Sequence, residues 1–349
     1  MRWHGFLSLL LLGPLATHAE QEPLALDAAV EQALQRAPQL TARAESLSAA
    51  QSIVVSAGRL PDPELIVGID NLPVTGGDAY STTSDFMTMR KVGVMQEFPR
   101  ARKRGLQHDL AEAEASVAGA ELVQARLEIA REVATAWIRR STAQAALEQL
   151  RALEPEVELQ SASARAAVSS GRSSTAEALA AEAAVAQLAT RVLRMRSAAR
   201  QAALELGRWI DVDATRPLAA LPSFDQLPTP ANALLASVHE HGSLLPYESR
   251  MAAARIDVGL ARAQRRPDWS AELAFAKRGP EFSDMLSLQF RIGLPLSTRN
   301  RQDPLVNARH AQLRRIEAER EDELRMHTVE LRKMLAEWES LGEQLKQYE

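Results

Sequence analysis

One order of elements occurs twice along this chain of 349 residues. A helix, a strand, a turn, a second strand and a long helix follow one another from residue 24, and the succession starts again after residue 230. Fixed points mark the correspondence: Pro61-Asp62 matches Pro267-Asp268, and Pro99 stands where Pro295 stands. Self-similarity of this kind means one supersecondary unit built twice. The chain therefore divides into a first repeat at 20–210, a linker at 211–230 containing Pro217, Pro222, Pro228 and Pro230, and a second repeat at 231–349.

In the first repeat, residues 24 to 58 are predicted helical, with Asp27 as a cap and a kink or break at Pro38. Strands follow over Glu64–Asn71 and Phe86–Phe98, separated by a turn-rich stretch around Gly76-Gly77-Asp78. The pattern from Ala101 to about Ser170 is helical again, bent at Pro155. Val123, Leu127, Ala130, Ala134 and Trp137 step four, three, four, three, which is a coiled-coil seam. Ser169 to Ser174 break the helix, and a return helix runs from Thr175 to about Gly207. The second repeat reads as helix 231–265, strands Trp269–Lys277 and Asp284–Leu294 around Gly279-Pro280, and a charged helix to the end. Leu331, Met334, Trp338, Leu341 and Leu345 form a second seam. Some 70 residues of helix would span about 105 Å, too long to bury inside a chain of this size.

The strands of the second repeat alternate cleanly. Trp269, Ala271, Leu273 and Phe275 share one face, and Ser270, Glu272, Ala274 and Ala276 the other. In the partner strand Leu286, Leu288, Phe290, Ile292 and Leu294 oppose Met285, Ser287, Gln289, Arg291 and Gly293. This pattern fits a transmembrane barrel strand and a half-buried soluble strand equally well. Four strands cannot close a barrel, which takes about 8, so the barrel reading requires several copies. Three copies would close one.

Composition excludes several classes. There is no cysteine, so disulfides, thiolate metal sites, cysteine nucleophiles and a lipidated N-terminal cysteine are ruled out. A net charge of −4 gives no reason to expect a nucleic-acid partner. Arg2, the apolar run Phe6–Leu12 and the small residues Ala16, Thr17 and Ala19 read as a signal peptide over 1–19, with a short membrane anchor as the other reading. The apolar run is shorter than the about 20 residues a spanning helix needs. No Ser/His/Asp set, phosphate loop or zinc spacing is present, so the chain reads as no enzyme and as binding no cofactor. His239-Glu240-His241 reads as a solvated helix face, and His108, His310 and His327 lack spaced partners. The basic run Arg100-Ala101-Arg102-Lys103-Arg104 reads as an interfacial anchor near lipid head groups. Met87, Met89 and Met95 have the softness for Cu(I) but read as ordinary barrel side chains.

Gly93 to Pro99 followed by the basic run, and Val168-Ser169-Ser170-Gly171-Arg172-Ser173-Ser174 leading into Leu179, resemble the strand-to-helix passage and the periplasmic tip of the TolC-like outer-membrane efflux proteins. The resemblance covers essentially the whole chain after the signal peptide. It implies a mainly α fold with a small β part: two helix/β-hairpin/helical-hairpin repeats, giving four strands per chain to a trimeric 12-strand barrel above a long α-helical barrel. It also implies a passive duct in the outer membrane that extends into the periplasm. The partners implied are a periplasmic adaptor protein, an inner-membrane resistance-nodulation-division pump, outer-membrane lipid and two further copies of the chain. Ser170, Gly171 and Arg172 are the adaptor-contact residues at the tip, unless the turn is there for its geometry alone. Asp70-Asn71-Leu72-Pro73 and Asp85 to Arg90 resemble the heavy-metal branch, the CzcC-like and CusC-like ducts, and so imply copper, silver, zinc, cobalt or cadmium as cargo.

One departure stands out. By the offset between repeats, Glu349 falls about 20 residues short of a second tip, so the second helical hairpin is incomplete. The expectation is a fragment or a truncated gene. A soluble periplasmic coiled-coil adaptor or scaffold is the alternative reading, and it predicts extraction without detergent.

Overall fold

The computed structural model describes residues 22–210 and 216–348. The signal peptide read at 1–19 and the first five residues of the linker lie outside them. The described chain is mainly helical with one small antiparallel sheet. In order it forms α1 (Leu26–Arg36), α2 (Pro38–Ser56), β1 (Glu64–Asp70), β2 (Met89–Phe98), α3 (Ala101–Ala152), α4 (Glu154–Ser169) and α5 (Thr175–Ile210). There follow α6 (Ala231–Ala236), α7 (Leu245–Ala263), β3 (Trp269–Lys277), β4 (Met285–Ile292) and α8 (Thr298–Tyr348).

Prolines set the breaks. Ala37 is extended (φ −61°, ψ 114°) because Pro38 disfavours the helical conformation before it, and α2 begins at that proline. The helix predicted from Ala101 to Ser170 is two helices, with Pro155 in the first turn of α4. There its missing N–H costs nothing. The helix predicted over 231–265 is not continuous either. Two short 3₁₀ turns, Val238–Glu240 and Gly242–Leu244, separate α6 from α7, which has Pro246 in its first turn.

The chain packs into two compact units. One joins the residues up to Arg36 to Ile129–Ser223; the other joins Ala37–Glu128 to the residues from Phe224 onward. These units follow packing, whereas the division at 20–210, 211–230 and 231–349 follows sequence order.

In the first unit α3 and α5 bury matching stripes. Ile129, Val133, Ala136, Arg140 and Leu147 are buried on α3, and Leu188, Val192, Ala199, Ala202, Leu206 and Ile210 on α5. Leu147, Leu188, Val192 and Ala199 form one cluster, flanked by Val157 of α4. The buried stripe of α3 is displaced one residue from the predicted seam, of which Trp137 is buried while Val123 and Leu127 are half exposed. The β-branched Ile129 and Val133 displace more water on burial than Ala130 and Ala134, and they turn inward. The start of the described chain is fastened to this unit. The Leu24 N–H donates to the Pro217 carbonyl at 2.8 Å, and Ala219 N–H donates to the Leu24 carbonyl at 3.0 Å. Trp137, fully buried, donates its indole N–H to the same Leu24 oxygen at 3.0 Å.

In the second unit the four strands lie in the order β1-β2-β3-β4, all antiparallel. Arg43 of α2 and Arg250 of α7 both grip Glu121 of α3, at 2.9 and 2.6 Å. Part of the α8 seam has no cover from any described helix, since Met334, Leu341 and Leu345 are exposed.

Candidate functional site

The register of the sheet builds two unlike faces. Leu65, Val94, Leu273 and Leu288 lie side by side across all four strands, and Val67, Val92, Phe275 and Leu286 form the next row. Gln96, Ala271 and Phe290 continue the face towards the helices, and Phe98, Trp269 and Ile292 close it. Phe98 and Trp269 stack with ring centroids 4.3 Å apart. At the opposite end the face finishes in Arg90 and Lys277. This apolar face is the bare one: Leu65 is 71%, Val67 72%, Leu273 53% and Leu286 73% exposed.

The other face is small and polar, yet its centre is shielded. Glu272 is 4% exposed, and Ala274 and Ala276 are almost wholly covered. The Glu272 carboxylate accepts hydrogen bonds from Arg291 at 2.6 Å and Lys91 at 3.4 Å, and Lys91 also pairs with Asp70 at 3.3 Å. A buried charge needs such partners. Gly93 explains how tightly the strands approach. A Cβ at that position would lie 2.7 Å from the Ala274 Cβ and 2.9 Å from the Leu273 carbonyl oxygen. Glycine inside a strand marks such close approaches and barrel corners.

Soluble proteins rarely leave so large a contiguous apolar surface bare, and they do not cover the polar face instead. A barrel wall in lipid has this arrangement, with the apolar face outward and aromatic side chains at its rim. The 10 residues of β2 span about 33 Å, which at a tilt of about 40° covers about 25 Å, the height of an outer-membrane apolar band. Among the described residues no helix is long and apolar enough to cross a membrane.

Asp268 joins the two hairpins where strands meet helices. Its carboxylate accepts from the Lys103 ammonium at 2.5 Å and from the Arg100 N–H at 3.0 Å. Burial pushes this carboxyl up, but the two donors outweigh it and hold the group below the usual carboxylate range. A carboxyl whose pKa is lower folded than unfolded stabilises the fold above its unfolded pKa and ceases to do so as pH falls through the folded value. Asp268→Asn is expected to lower stability at pH 7 by about 1–2 kcal/mol. Its melting temperature is expected to converge on that of the parent protein as the buffer is acidified; thermal melts along a pH series check this.

The candidate adaptor-contact residues form the turn between α4 and α5. Gly171 is left-handed (φ 69°), and its N–H donates to the Val168 carbonyl at 3.0 Å. The Arg172 N–H reaches back to the Ala167 carbonyl at 2.8 Å. This bond pair defines a Schellman turn, in which glycine avoids the strain a Cβ would bring. Ser170 Oγ accepts from Arg172 Nε at 3.0 Å, and Ser174 Oγ caps α5 by accepting the Glu177 N–H at 3.3 Å. Ser170, Gly171 and Arg172 are all exposed. Gly171→Ala is expected to cost about 1 kcal/mol and to loosen the turn, which faster amide hydrogen exchange over 167–177 would reveal.

Other candidates resolve individually. Met89 and Met95 lie six residues apart on β2, about 20 Å along a strand, too far to share an ion. His239, Glu240 and His241 are all exposed, as read, but His241 lies between the 3₁₀ turns and its ring packs on His327 with centroids 3.9 Å apart. His327, which showed no spaced partner in the sequence, lies between Glu323 at 3.0 Å and Glu330 at 3.2 Å and meets Ser243 at 2.6 Å. Both glutamates lie on α8 itself, whereas the contacts with Ser243 and His241 join α8 to the 3₁₀ turns, a junction invisible in the sequence. His310 receives Arg262 at 2.8 Å. His108, Asp109 and Glu112 hold ligand atoms within 4.8 Å of one another on the surface of α3.

With this geometry in place, the comparisons with known proteins identify the class. The chain belongs to the outer membrane efflux protein family, whose sequence model matches residues 29–210, more than half of its length. Its fold is that of solved outer-membrane channels. It is similar to the outer membrane protein VceC of Vibrio cholerae (TM-score 0.72, 20% identity, covering 92% of this chain and 80% of that one). It is also similar to CusC, whose structures describe transmembrane channel formation (0.74, 16%, 92% and 77%). The open state of the MtrE outer membrane channel of Neisseria gonorrhoeae is a third (0.67, 15%, 86% and 70%). No curated protein sequence matches the chain. Members of this family are transport channels, not enzymes.

Proposed function

We propose that three copies of this chain close a 12-strand barrel in the outer membrane and form the passive exit duct of a tripartite efflux system. The observation that carries this is the inverted sheet, with Leu273, Phe275 and Leu286 bare and Glu272 and Ala274 covered. Among the described residues β1 and β4 each have one edge unpaired, and open edges are not tolerated in lipid. Three copies pairing β4 to β1 remove every edge and give a barrel wider than one of about 8 strands, whose interior side chains fill. In this reading the chain is two repeats, 20–210 and 231–349, joined by 211–230, and the helical hairpins extend the lumen into the periplasm.

The turn at Ser170, Gly171 and Arg172 then serves as the contact for a periplasmic adaptor, which links the duct to an inner-membrane resistance-nodulation-division pump. The cargo is heavy-metal cations, and the support for this is the resemblance of the segments around Asp70 to Pro73 and Asp85 to Arg90 to that branch. Solute moves through a water-filled lumen with the driving force supplied elsewhere. Envelope fractionation and planar-bilayer conductance test the duct: recovery in the outer membrane with stable single-channel steps is expected. Recovery in the soluble periplasmic fraction would overturn it. Deleting the gene is expected to lower tolerance to copper, silver, zinc, cobalt or cadmium; unchanged tolerance to all five would remove the metal assignment alone.

A further inference from the structure

The basic residues where strands meet helices fall into two groups. Some are engaged: Lys103 with Asp268, and Arg265 with Asp303 at 2.7 Å. Others hold nothing. Arg266 and Arg301 are exposed, and neither side chain makes a hydrogen bond or ion pair among the described residues. Both line one cleft of about 460 Å³, together with Gln264, Asp268, Gln302 and Leu294. The Gln302 Oε1 is shielded from solvent and lacks a hydrogen-bond donor. Leu294, which lines the cleft two residues beyond β4, is 69% exposed.

We propose that this cleft holds the phosphate of a phospholipid head group from the periplasm-facing leaflet, with the acyl chains lying along Leu294 and the β4 face. The proposal rests on the outer-membrane reading above and adds a discrete site to it. Two guanidinium groups without protein partners suit a phosphodiester, which accepts bidentate hydrogen bonds. The adjoining apolar surface selects a lipid over free phosphate, because only a lipid covers Leu294 and the β4 face as well. The unsatisfied Gln302 oxygen offers an acceptor for a head-group hydroxyl or ammonium. The cleft lies beside Trp269, where aromatic rims mark the edge of the hydrocarbon. The first repeat lacks the pair. By the offset between Pro61 and Pro267, Arg266 corresponds to Leu60; by that between Pro99 and Pro295, Arg301 corresponds to Gly105. The site is thus one per chain, in the second repeat, and distinct from the basic run at Arg100 to Arg104.

Native mass spectrometry of the detergent-solubilised protein, given phosphatidylglycerol or the phosphate-free diacylglycerol, tests this. The parent protein is expected to retain phosphatidylglycerol and not diacylglycerol. The double variant R266A/R301A is expected to lose retention by roughly tenfold or more. Arg314→Ala, which removes an exposed arginine of α8 outside the cleft, is expected to leave it unchanged. Equal retention by all three proteins, or equal retention of diacylglycerol, would overturn the site. Displacement of the lipid by millimolar inorganic phosphate would show an anion site without lipid preference and overturn it too. In each of these cases a protein that still fractionates with the outer membrane leaves the duct reading standing; a soluble parent protein would remove both.

Discussion

Leu273→Arg is expected to destabilise the membrane-inserted protein by about 2–4 kcal/mol, the cost of an arginine at the midplane of a barrel's lipid face. Leu273 is the appropriate position because it sits in the middle row of the apolar face, between Val94 and Leu288. It is already half exposed, so the change creates no cavity and no clash. In a water-soluble sheet the same substitution would be close to neutral, since an exposed arginine on a strand is well solvated and surface changes usually stay within about 0.5 kcal/mol. The sign and size therefore separate lipid from water as the neighbour. Urea or guanidinium titration of the protein refolded into lipid vesicles measures it. Ala274→Arg makes a poor control, because Ala274 is packed against Gly93; Gln289→Arg on the exposed part of the polar face is the better one.

The second large effect lies in the other unit. Trp137→Ala is expected to cost about 3–5 kcal/mol, the range for deleting a fully buried aromatic side chain. Two losses combine. The buried indole volume is removed, and the Leu24 carbonyl loses one of its two donors while its bond from Ala219 remains. Trp137→Phe keeps most of the volume and drops only the N–H, so it is expected to recover more than half of the loss. Amide exchange across 22–30 and 216–220 checks the mechanism, because both segments are held at that tryptophan. Equal destabilisation by the two substitutions would mean that packing contributes little there.

Much of the fold is legible in the sequence because its signals are local. Period-two polarity located β3 to the residue and β4 within two, and Pro38 and Pro155 marked real breaks. Long-range choices were not legible. Alternation in β3 defined two faces without saying which one is covered; that depends on the register with β2 and on Gly93 allowing the strands together. The seam of α3 was misplaced by one residue because alanine counts as apolar in a pattern but contributes little burial beside Ile129 and Val133. The partnerships of His241 with His327 and of Lys103 with Asp268 join segments far apart in the chain, and no spacing rule connects them. No spacing rule connects Arg266 with Arg301 either. They share a cleft and, among the described residues, have no acidic partner.

The absence of cysteine makes the central claim directly measurable. Single cysteines placed in turn at 271, 273 and 275 of β3 and at 287 and 289 of the exposed polar face of β4 carry a spin label, and its collision rates with oxygen and with a water-soluble nickel complex report lipid or water at each site in reconstituted membranes. The account predicts opposite environments for the two faces. Labels at 271, 273 and 275 should be oxygen-accessible and shielded from nickel, and labels at 287 and 289 should be nickel-accessible. Nickel accessibility at 273 and 275 equal to that of a surface helix site would place the apolar face in water and contradict the barrel.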